Sequence, residues 1–231
     1  MKYLLAIFLI GVSCFLFGCG GKEISLPQEP ATQTAETAEA HYNLGLAYHY
    51  QGKLDEAVAA YKAAIRIDPN YALTHYNLGV AYSEQGKLEE AIAEYQKAIT
   101  INPNYAEAHY NLGLAYHEQG KLNDAIAEWK KAISINPNFA LAHYNLGFAY
   151  LNQGKYDLAV ESCQKAITTN PNNSETHFNL ACAYSLKGEK TLSIESLQKA
   201  ISLDRRAIES SKAETDFDNI RESPEFQELI K

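Results

Sequence analysis

A repeat of 34 residues is the feature that most constrains how this chain can fold. The string HYNLG begins at residue 41 and returns, with small changes, at residues 75, 109, 143 and 177. Aligned at this step, residues 38–207 form five copies of one unit, which occupy 38–71, 72–105, 106–139, 140–173 and 174–207. A period of this length is typical of arrays of small supersecondary units. We therefore predict a repeat architecture.

Each copy contains the pattern of two helices joined by a turn. Leu44 and Tyr48 lie one helical turn apart and share a helix face. Gly52 ends that helix, because glycine adopts a positive φ at low cost. An apolar stripe with helical spacing follows between Ala57 and Ala64, and a proline in four of the copies ends the second helix. A single unit cannot bury both of its faces, so neighbouring units must stack to form the core.

Several columns are almost invariant among the copies, and together they resemble the tetratricopeptide repeat (TPR). They are Leu44, Leu78, Leu112, Leu146 and Leu180; Tyr48, Tyr82, Tyr116, Tyr150 and Tyr184; Gly52, Gly86, Gly120, Gly154 and Gly188; Ala57, Ala91, Ala125, Ala159 and Ser193; and Pro69, Pro103, Pro137 and Pro171. The resemblance covers about three quarters of the chain. It implies an all-α fold, an α-solenoid superhelix of five helix-turn-helix units with one concave and one convex surface.

The C-terminal end of the array departs from the pattern, as terminal repeats usually do. The departures are Ala181, Ser193, Leu197 and Arg205. Residues 208–231 are predicted to form a C-terminal cap, in which Ser223, Pro224 and Glu225 begin a capping helix. The side chains expected to cover the last repeat are Phe226, Leu229 and Ile230.

The N-terminal end predicts export and lipidation. An apolar run at residues 3–17 follows Lys2, which is typical of a secretory signal, and its roughly 15 residues fall short of the ~20 that span a bilayer. Residues 16–19 resemble a bacterial lipobox, although Phe17 departs from the usual small or aliphatic residue. We predict a lipoprotein signal peptide at 1–18 with lipidation at Cys19. The alternative is an ordinary signal peptide with an incidental cysteine.

A flexible tether at 19–37 is expected to connect this anchor to the repeats, because the segment is rich in Gly, Pro, Thr and Gln. Gly20 is not the aspartate that resembles an inner-membrane retention signal. The predicted location is the bacterial cell envelope outside the cytoplasm, at the outer membrane if the source has two membranes.

The charge of the chain argues against nucleic acid as a partner. The net charge is −8 and residues 1–18 carry +1, so the remainder carries −9 (−8 minus +1). Cys163 and Cys182 occupy non-equivalent columns, and the sequence leaves open whether they form a disulfide.

Neither a catalytic motif nor a cofactor motif is found, and we predict no enzyme activity, no cofactor and no metal site. Histidines recur at 41, 75, 109, 143 and 177. Equivalent positions on stacked helices lie ~8–10 Å apart, whereas two rings on one metal must each approach to ~2.1 Å. We interpret this column as part of the packing between helices.

The TPR resemblance places the fifth and sixth positions of each unit on the concave surface. They hold Tyr42, Asn43, Tyr76, Asn77, Tyr110, Asn111, Tyr144, Asn145, Phe178 and Asn179. An asparagine side chain both donates and accepts hydrogen bonds, so one per unit could pair with about every third residue of an extended peptide, at ~3.3 Å per residue.

This pattern predicts a membrane-anchored scaffold of the envelope that binds an extended segment of a protein partner and assists complex assembly. The alternative is a binder of glycans or cell-wall polymers, because tyrosine with asparagine also suits sugar rings. A further interpretation is that asparagine is simply common in this column of the family. The identity of the partner and the oligomeric state are not readable from the sequence.

Overall fold

The structure of the protein is a computed structural model, which describes residues 37–231. The predicted signal peptide, Cys19 and the predicted tether up to residue 36 lie outside the described residues.

The described part of the chain is all-α, as predicted, with twelve α-helices and one 3₁₀ turn. Five helix pairs come first, and each pair falls within one 34-residue unit: α1 Ala38–Tyr50 and α2 Leu54–Ile67, α3 Ala72–Glu84 and α4 Leu88–Ile101, α5 Ala106–Glu118 and α6 Leu122–Ile135, α7 Ala140–Asn152 and α8 Tyr156–Thr169, α9 Ser174–Leu186 and α10 Lys190–Leu203. The C-terminal elements are α11 Arg206–Ala213, the 3₁₀ turn Thr215–Phe217 and α12 Pro224–Leu229.

Glycine makes the turn within each pair, as the sequence predicts. The five turn glycines have φ between 70° and 79°, a region of backbone conformation that residues with a side chain rarely adopt. The second helix of the first unit ends at Ile67, and the next residue, Asp68, is extended, with a φ of −128° and a ψ of 95°. This conformation is the one that the following Pro69 favours.

The two helices of a unit approach closely because a glycine of the first faces a large side chain of the second. A Cβ added to Gly113 would lie 2.5 Å from Trp129 Nε1, and one added to Gly45 would clash with the Tyr61 ring. The fifth unit has Ala181 and Leu197 in these columns, within one buried cluster, so a larger residue on the first helix accompanies a smaller one on the second.

Stacking of one unit on the next buries the leucine column. Leu78 and its equivalents in the following units are 2–7% exposed. Leu44 is 44% exposed, because no preceding unit among the described residues covers α1. The core is therefore shared between neighbouring units.

The C-terminal cap covers the fifth unit, and it contains more elements than the single helix that the sequence predicts. Ser223 accepts a hydrogen bond from the Phe226 backbone N–H at 3.4 Å at the start of α12, and Phe226 and Phe217 are fully buried. An additional helix, α11, begins at Arg206, inside the range assigned to the fifth unit. Asp204 supports this start by accepting from the Arg206 N–H at 2.9 Å.

Candidate functional site

The predicted partner-binding residues lie on the first helices of the five units. Tyrosine or phenylalanine occupies the fifth position and asparagine the sixth position of α1, α3, α5, α7 and α9. Partly buried apolar side chains follow at the ninth position; they are Leu46, Val80, Leu114 and Phe148. We call these three positions together the inner face.

Tyrosine and asparagine bond to each other across the junctions between units. Asn77 Nδ2 donates to Tyr42 Oη at 3.2 Å, and Asn111 Nδ2 donates to Tyr76 Oη at 3.0 Å. The same bond recurs at 3.2 Å from Asn145 to Tyr110. We call this series the Tyr–Asn ladder.

The ladder corrects one part of the sequence interpretation. Asparagine was expected to offer both a donor and an acceptor to a bound peptide, but the side-chain amides of Asn77, Asn111 and Asn145 already donate to a tyrosine within the protein. Asn77 uses both of its amide hydrogens, because Nδ2 also donates to the Leu73 carbonyl at 3.0 Å. The sequence analysis missed this because the partners are 35 residues apart, and only the stacking of the units brings them together.

The ladder changes at its two ends. Asn43 is exposed, since α1 follows no tyrosine-bearing unit in the described chain. At the other end Tyr144 donates to Glu175 Oε2 at 3.0 Å, and Asn179 Nδ2 is buried without a hydrogen-bond partner among residues 37–231. Three regular rungs therefore connect the first four units.

A second aromatic column, which the sequence analysis missed, covers the tyrosine rings. The ring centroids are 5.3 Å apart for Tyr42 and Tyr71, 4.8 Å for Tyr76 and Tyr105, and 4.8 Å for Tyr110 and Phe139. The last position of each unit supplies these second partners, and its aromatic residues in the first three units were a visible signal. Phe178 instead packs against Phe217 of the cap, at 5.5 Å.

Burial keeps the ladder hydroxyls protonated. It raises the pKa of Tyr76 to about 12, and it also raises the pKa of Tyr42 and Tyr110. Each hydroxyl therefore accepts from an asparagine and stays neutral at physiological pH.

The repeated histidines have a structural role between units. In four units the ring Nε2 donates to the carbonyl of the proline that ends the preceding unit, at 2.9–3.2 Å: His75 to Pro69, His109 to Pro103, His143 to Pro137 and His177 to Pro171. No group of three or more His, Cys, Asp or Glu side chains that could hold a metal occurs within residues 37–231.

Two of these histidines also bind a glutamate of the second helix. His75 Nδ1 lies 2.6 Å from Glu94 Oε2, and His109 Nδ1 lies 2.6 Å from Glu128 Oε2. A carbonyl and a carboxylate both accept, so the His75 ring donates from both nitrogens and carries a positive charge. The hydrogen bond from Glu94 accordingly raises the pKa of His75 above its ordinary value, although burial opposes it.

The two cysteines within the described residues are free thiols. Cys163 and Cys182 are both buried, and burial raises the pKa of Cys163 to about 12. Cys182 lies in one apolar cluster with Phe217 and Phe226, beneath the cap. Cys163 and Cys182 therefore do not form the disulfide that the sequence left open.

Comparison with protein families agrees with this geometry. A family model described as "TPR repeat" matches residues 47–86, 81–120 and 113–154, and two described as "Tetratricopeptide repeat" match 140–173 and 162–195. The chain belongs to the tetratricopeptide repeat family. Proteins with this scaffold are typically interaction modules. A comparison with curated proteins finds no match.

Solved structures of other TPR proteins resemble the fold. MamA is 30% identical, with a TM-score of 0.65, over 74% of this chain and 96% of the MamA chain. YrrB, described as a TPR protein with an unusual peptide-binding site, is 22% identical, with a TM-score of 0.67, over 78% of this chain and 94% of its own. PilF of Pseudomonas aeruginosa is 23% identical, with a TM-score of 0.66, over 83% of this chain and 96% of its own. The last two likenesses concern the fold alone.

Within residues 37–231, none of the helices has the length and apolar character needed to cross a bilayer.

Proposed function

We propose that this TPR protein is a scaffold, without catalytic activity, that binds an extended segment of a partner protein along the inner face. The binding residues would be the asparagines of the ladder and the apolar side chains at the ninth position. The protein would act outside the cytoplasm of a bacterium, attached to a membrane of the envelope, and assist the assembly of a complex.

The observation that carries this proposal is the Tyr–Asn ladder. Its three rungs connect α1, α3, α5 and α7 and hold their exposed faces in a fixed relation. A surface that is ordered before binding loses less conformational entropy when a partner binds. An amide nitrogen that donates to a tyrosine leaves the carbonyl oxygen of the same side chain to accept from the main chain of the partner.

The packing of the tyrosine rings favours a peptide over a glycan. A sugar ring stacks on an open aromatic face, but Tyr42 is only 8% exposed. Tyr76 and Tyr110 each pack against another aromatic ring at 4.8 Å. The apolar ninth-position side chains suit the alternating side chains of an extended strand.

A charge introduced into the inner face tests this proposal. We expect Leu114→Arg to reduce retention of a partner from envelope extract more than tenfold, because it places a cation among the apolar ninth positions. Ala127→Arg is the matched control, since Ala127 is exposed on the second helix α6 of the same unit. Thermal unfolding checks that both variants stay folded. Equal retention of the partner by the two variants would exclude the inner face as the partner-binding surface.

Attachment to the membrane is proposed from the sequence around Cys19. Acyl chains on this cysteine would supply the membrane affinity, because two or more chains anchor a protein stably while one binds only marginally. The segment at 20–36 would then separate the repeats from the bilayer.

Replacement of Cys19 tests the anchor independently of the inner face. Cys19→Ser should give unprocessed or soluble protein and abolish incorporation of labelled palmitate. Cys163→Ser is the control, because Cys163 is buried in the fourth unit. A processed Cys19→Ser protein that still fractionates with membranes would refute lipidation.

A further inference from the structure

A partly buried carboxylate recurs at the same position of the second and third units. Glu94 Oε2 lies 2.6 Å from His75 Nδ1, and Glu94 Oε1 lies 2.8 Å from Lys97 Nζ. The third unit repeats the arrangement with the same two distances, between Glu128 and the pair His109 and Lys131. In both units one carboxylate is thus held between an imidazole and an ammonium group.

The fifth unit keeps the two cationic residue types but lacks the carboxylate. His177 and Lys199 occupy the columns of His75 and Lys97, whereas Ser196 stands in the column of Glu94. Ser196 Oγ donates to the carbonyl of Leu192, one turn earlier, at 2.7 Å. The serine therefore satisfies its own helix and does not replace the glutamate.

The histidine of the fifth unit is held in the same orientation as its counterparts. His177 Nε2 bonds to the Pro171 carbonyl at 2.9 Å, as His75 Nε2 bonds to Pro69. His177 is only 8% exposed, and its Nδ1 has no hydrogen-bond partner among residues 37–231. This nitrogen corresponds to the one that binds a carboxylate in the second and third units.

A groove opens at this position between α8, α9 and α10. It has a volume of about 430 Å³, and His177, Ser196 and Lys199 line it together with the aliphatic side chains of Ile167 and Leu180. The groove thus combines two potential donors with an apolar wall that could cover a short hydrocarbon stem. None of these groove residues belongs to the inner face.

We propose that this groove binds a ligand that carries a carboxylate on a short aliphatic stem. The carboxylate of the ligand occupies the position that the side chains of Glu94 and Glu128 occupy in their own units. The ligand bonds to His177 Nδ1 and Lys199 Nζ. A glutamate side chain of another protein and a free aliphatic dicarboxylate share this chemistry. The fourth unit has the same residue types in His143, Ser162 and Lys165, but Ser162 is buried, so the site is assigned to the fifth unit alone.

Charged groups around the groove determine how binding depends on pH. His177 and Lys199 attract a carboxylate, whereas Glu195, which also lines the groove, repels it. Since His177 Nε2 already donates to Pro171, Nδ1 donates only from the doubly protonated ring. Binding of a carboxylate at Nδ1 therefore takes up a proton, so the affinity should increase as the pH falls.

Titration of the ¹⁵N-labelled full chain tests the proposal. The probes are glutarate, a blocked pentapeptide with one glutamate among alanines, and the same peptide with glutamine. At pH 5.5 we expect saturable amide shifts in α9 and α10 with a Kd on the order of 1 mM, several-fold weaker binding at pH 7.5, and no saturation with the glutamine peptide. Binding of glutarate and peptide alike identifies the carboxylate itself as the ligand, and binding of the peptide alone identifies a protein side chain. Saturation by neither overturns the proposal.

Variants separate the site from a general effect of charge. Ser196→Glu restores the arrangement of the second and third units and should weaken binding at least tenfold. Gln198→Glu adds the same charge at an exposed position of α10 and should change the affinity less than twofold. Glu195→Gln should tighten binding, because it removes the repelling carboxylate. Equal weakening by Ser196→Glu and Gln198→Glu would overturn the proposal.

Discussion

At the scale of single residues, one contact decides how closely the two helices of a unit pack. Gly113 on α5 faces the indole of Trp129 on α6, whose Nε1 donates to the Tyr110 carbonyl at 3.2 Å. The fifth unit has Ala181 and Leu197 in the same two columns, and both lie in one buried cluster. The sizes of the two side chains therefore depend on each other.

We predict that Gly113→Ala lowers the free energy of unfolding by ~1–3 kcal/mol, because the added methyl group overpacks the contact with Trp129. Trp129→Leu should also be destabilising. The double variant recreates the pair found in the fifth unit, so it should be more stable than the sum of the two effects predicts, by ~0.5–3 kcal/mol. Denaturant unfolding of the four proteins measures this coupling. Additive effects would show that the two positions do not constrain each other.

The pair of His75 and Glu94 predicts how stability depends on pH. Burial acts to raise the pKa of Glu94, but hydrogen bonds from His75 and Lys97 outweigh it and hold that pKa below its usual range. The pKa of His75 is raised in the folded protein. The contribution of protonated His75 to the free energy of unfolding is therefore complete below the ordinary histidine pKa of ~6.5. This contribution is lost as the pH rises through the higher pKa that His75 has in the folded protein.

We expect Glu94→Gln to lower the free energy of unfolding by ~1.5–3 kcal/mol at pH 6, the range for a hydrogen bond to a charged group, and by less at pH 8.5. Glu90→Gln is the control, because Glu90 is exposed on the same helix. Denaturant unfolding at a series of pH values gives both differences. A loss that stays constant across this range would contradict a charged His75.

At the scale of helices, the Tyr–Asn ladder connects the first helix of one unit to that of the next. Each rung adds a side-chain hydrogen bond to the apolar contacts between units. In a linear repeat array such contacts between neighbours supply much of the stability. Loss of a rung should therefore weaken one junction between units.

We predict that Asn111→Ala lowers the free energy of unfolding by ~0.5–1.5 kcal/mol, the net value of one hydrogen bond. Asn43→Ala is the matched control, since Asn43 is exposed and has no preceding tyrosine in the described chain; it should have an effect below ~0.5 kcal/mol. Tyr76→Phe removes the other partner of the Asn111 bond, so its effect should not add to that of Asn111→Ala. Denaturant unfolding compares these three variants and the double variant Asn111→Ala/Tyr76→Phe, and equal losses for Asn111→Ala and Asn43→Ala would contradict a stabilising ladder.

The sequence predicts the elements much better than the contacts between them. Gly52 and Pro69 mark the turn and the end of the first unit by local backbone preferences, which act without tertiary context. The Asn111–Tyr76 bond joins residues 35 apart, and it depends on the register in which units stack. The sequence therefore placed both residues on one surface but did not predict that they bond to each other.

At the scale of the whole described chain, the two ends of the stack differ. Leu44 is 44% exposed at the first unit, whereas Phe217 and Phe226 close the fifth unit and are fully buried. Between these ends the inner face repeats the same residue types at each of the first four units. A partner that follows this face should meet equivalent side chains in a fixed order.

The spacing between units predicts how many residues of an extended partner lie along each unit. Neighbouring packed helices are ~8–10 Å apart, and an extended strand advances ~3.3 Å per residue. Each unit therefore corresponds to about three residues of a bound strand.

Photo-crosslinking from the inner face tests the central claim most directly. A photoreactive amino acid is placed singly at Leu46, Val80, Leu114 or Phe148, with Ala127 as the exposed control, and the crosslinked residues of the partner are mapped by mass spectrometry. We predict that the four inner positions mark one segment of the partner in sequential order, about three residues apart, and that position 127 marks none of it. Crosslinks without sequential order, or equal crosslinking from position 127, would contradict binding of an extended segment along the inner face.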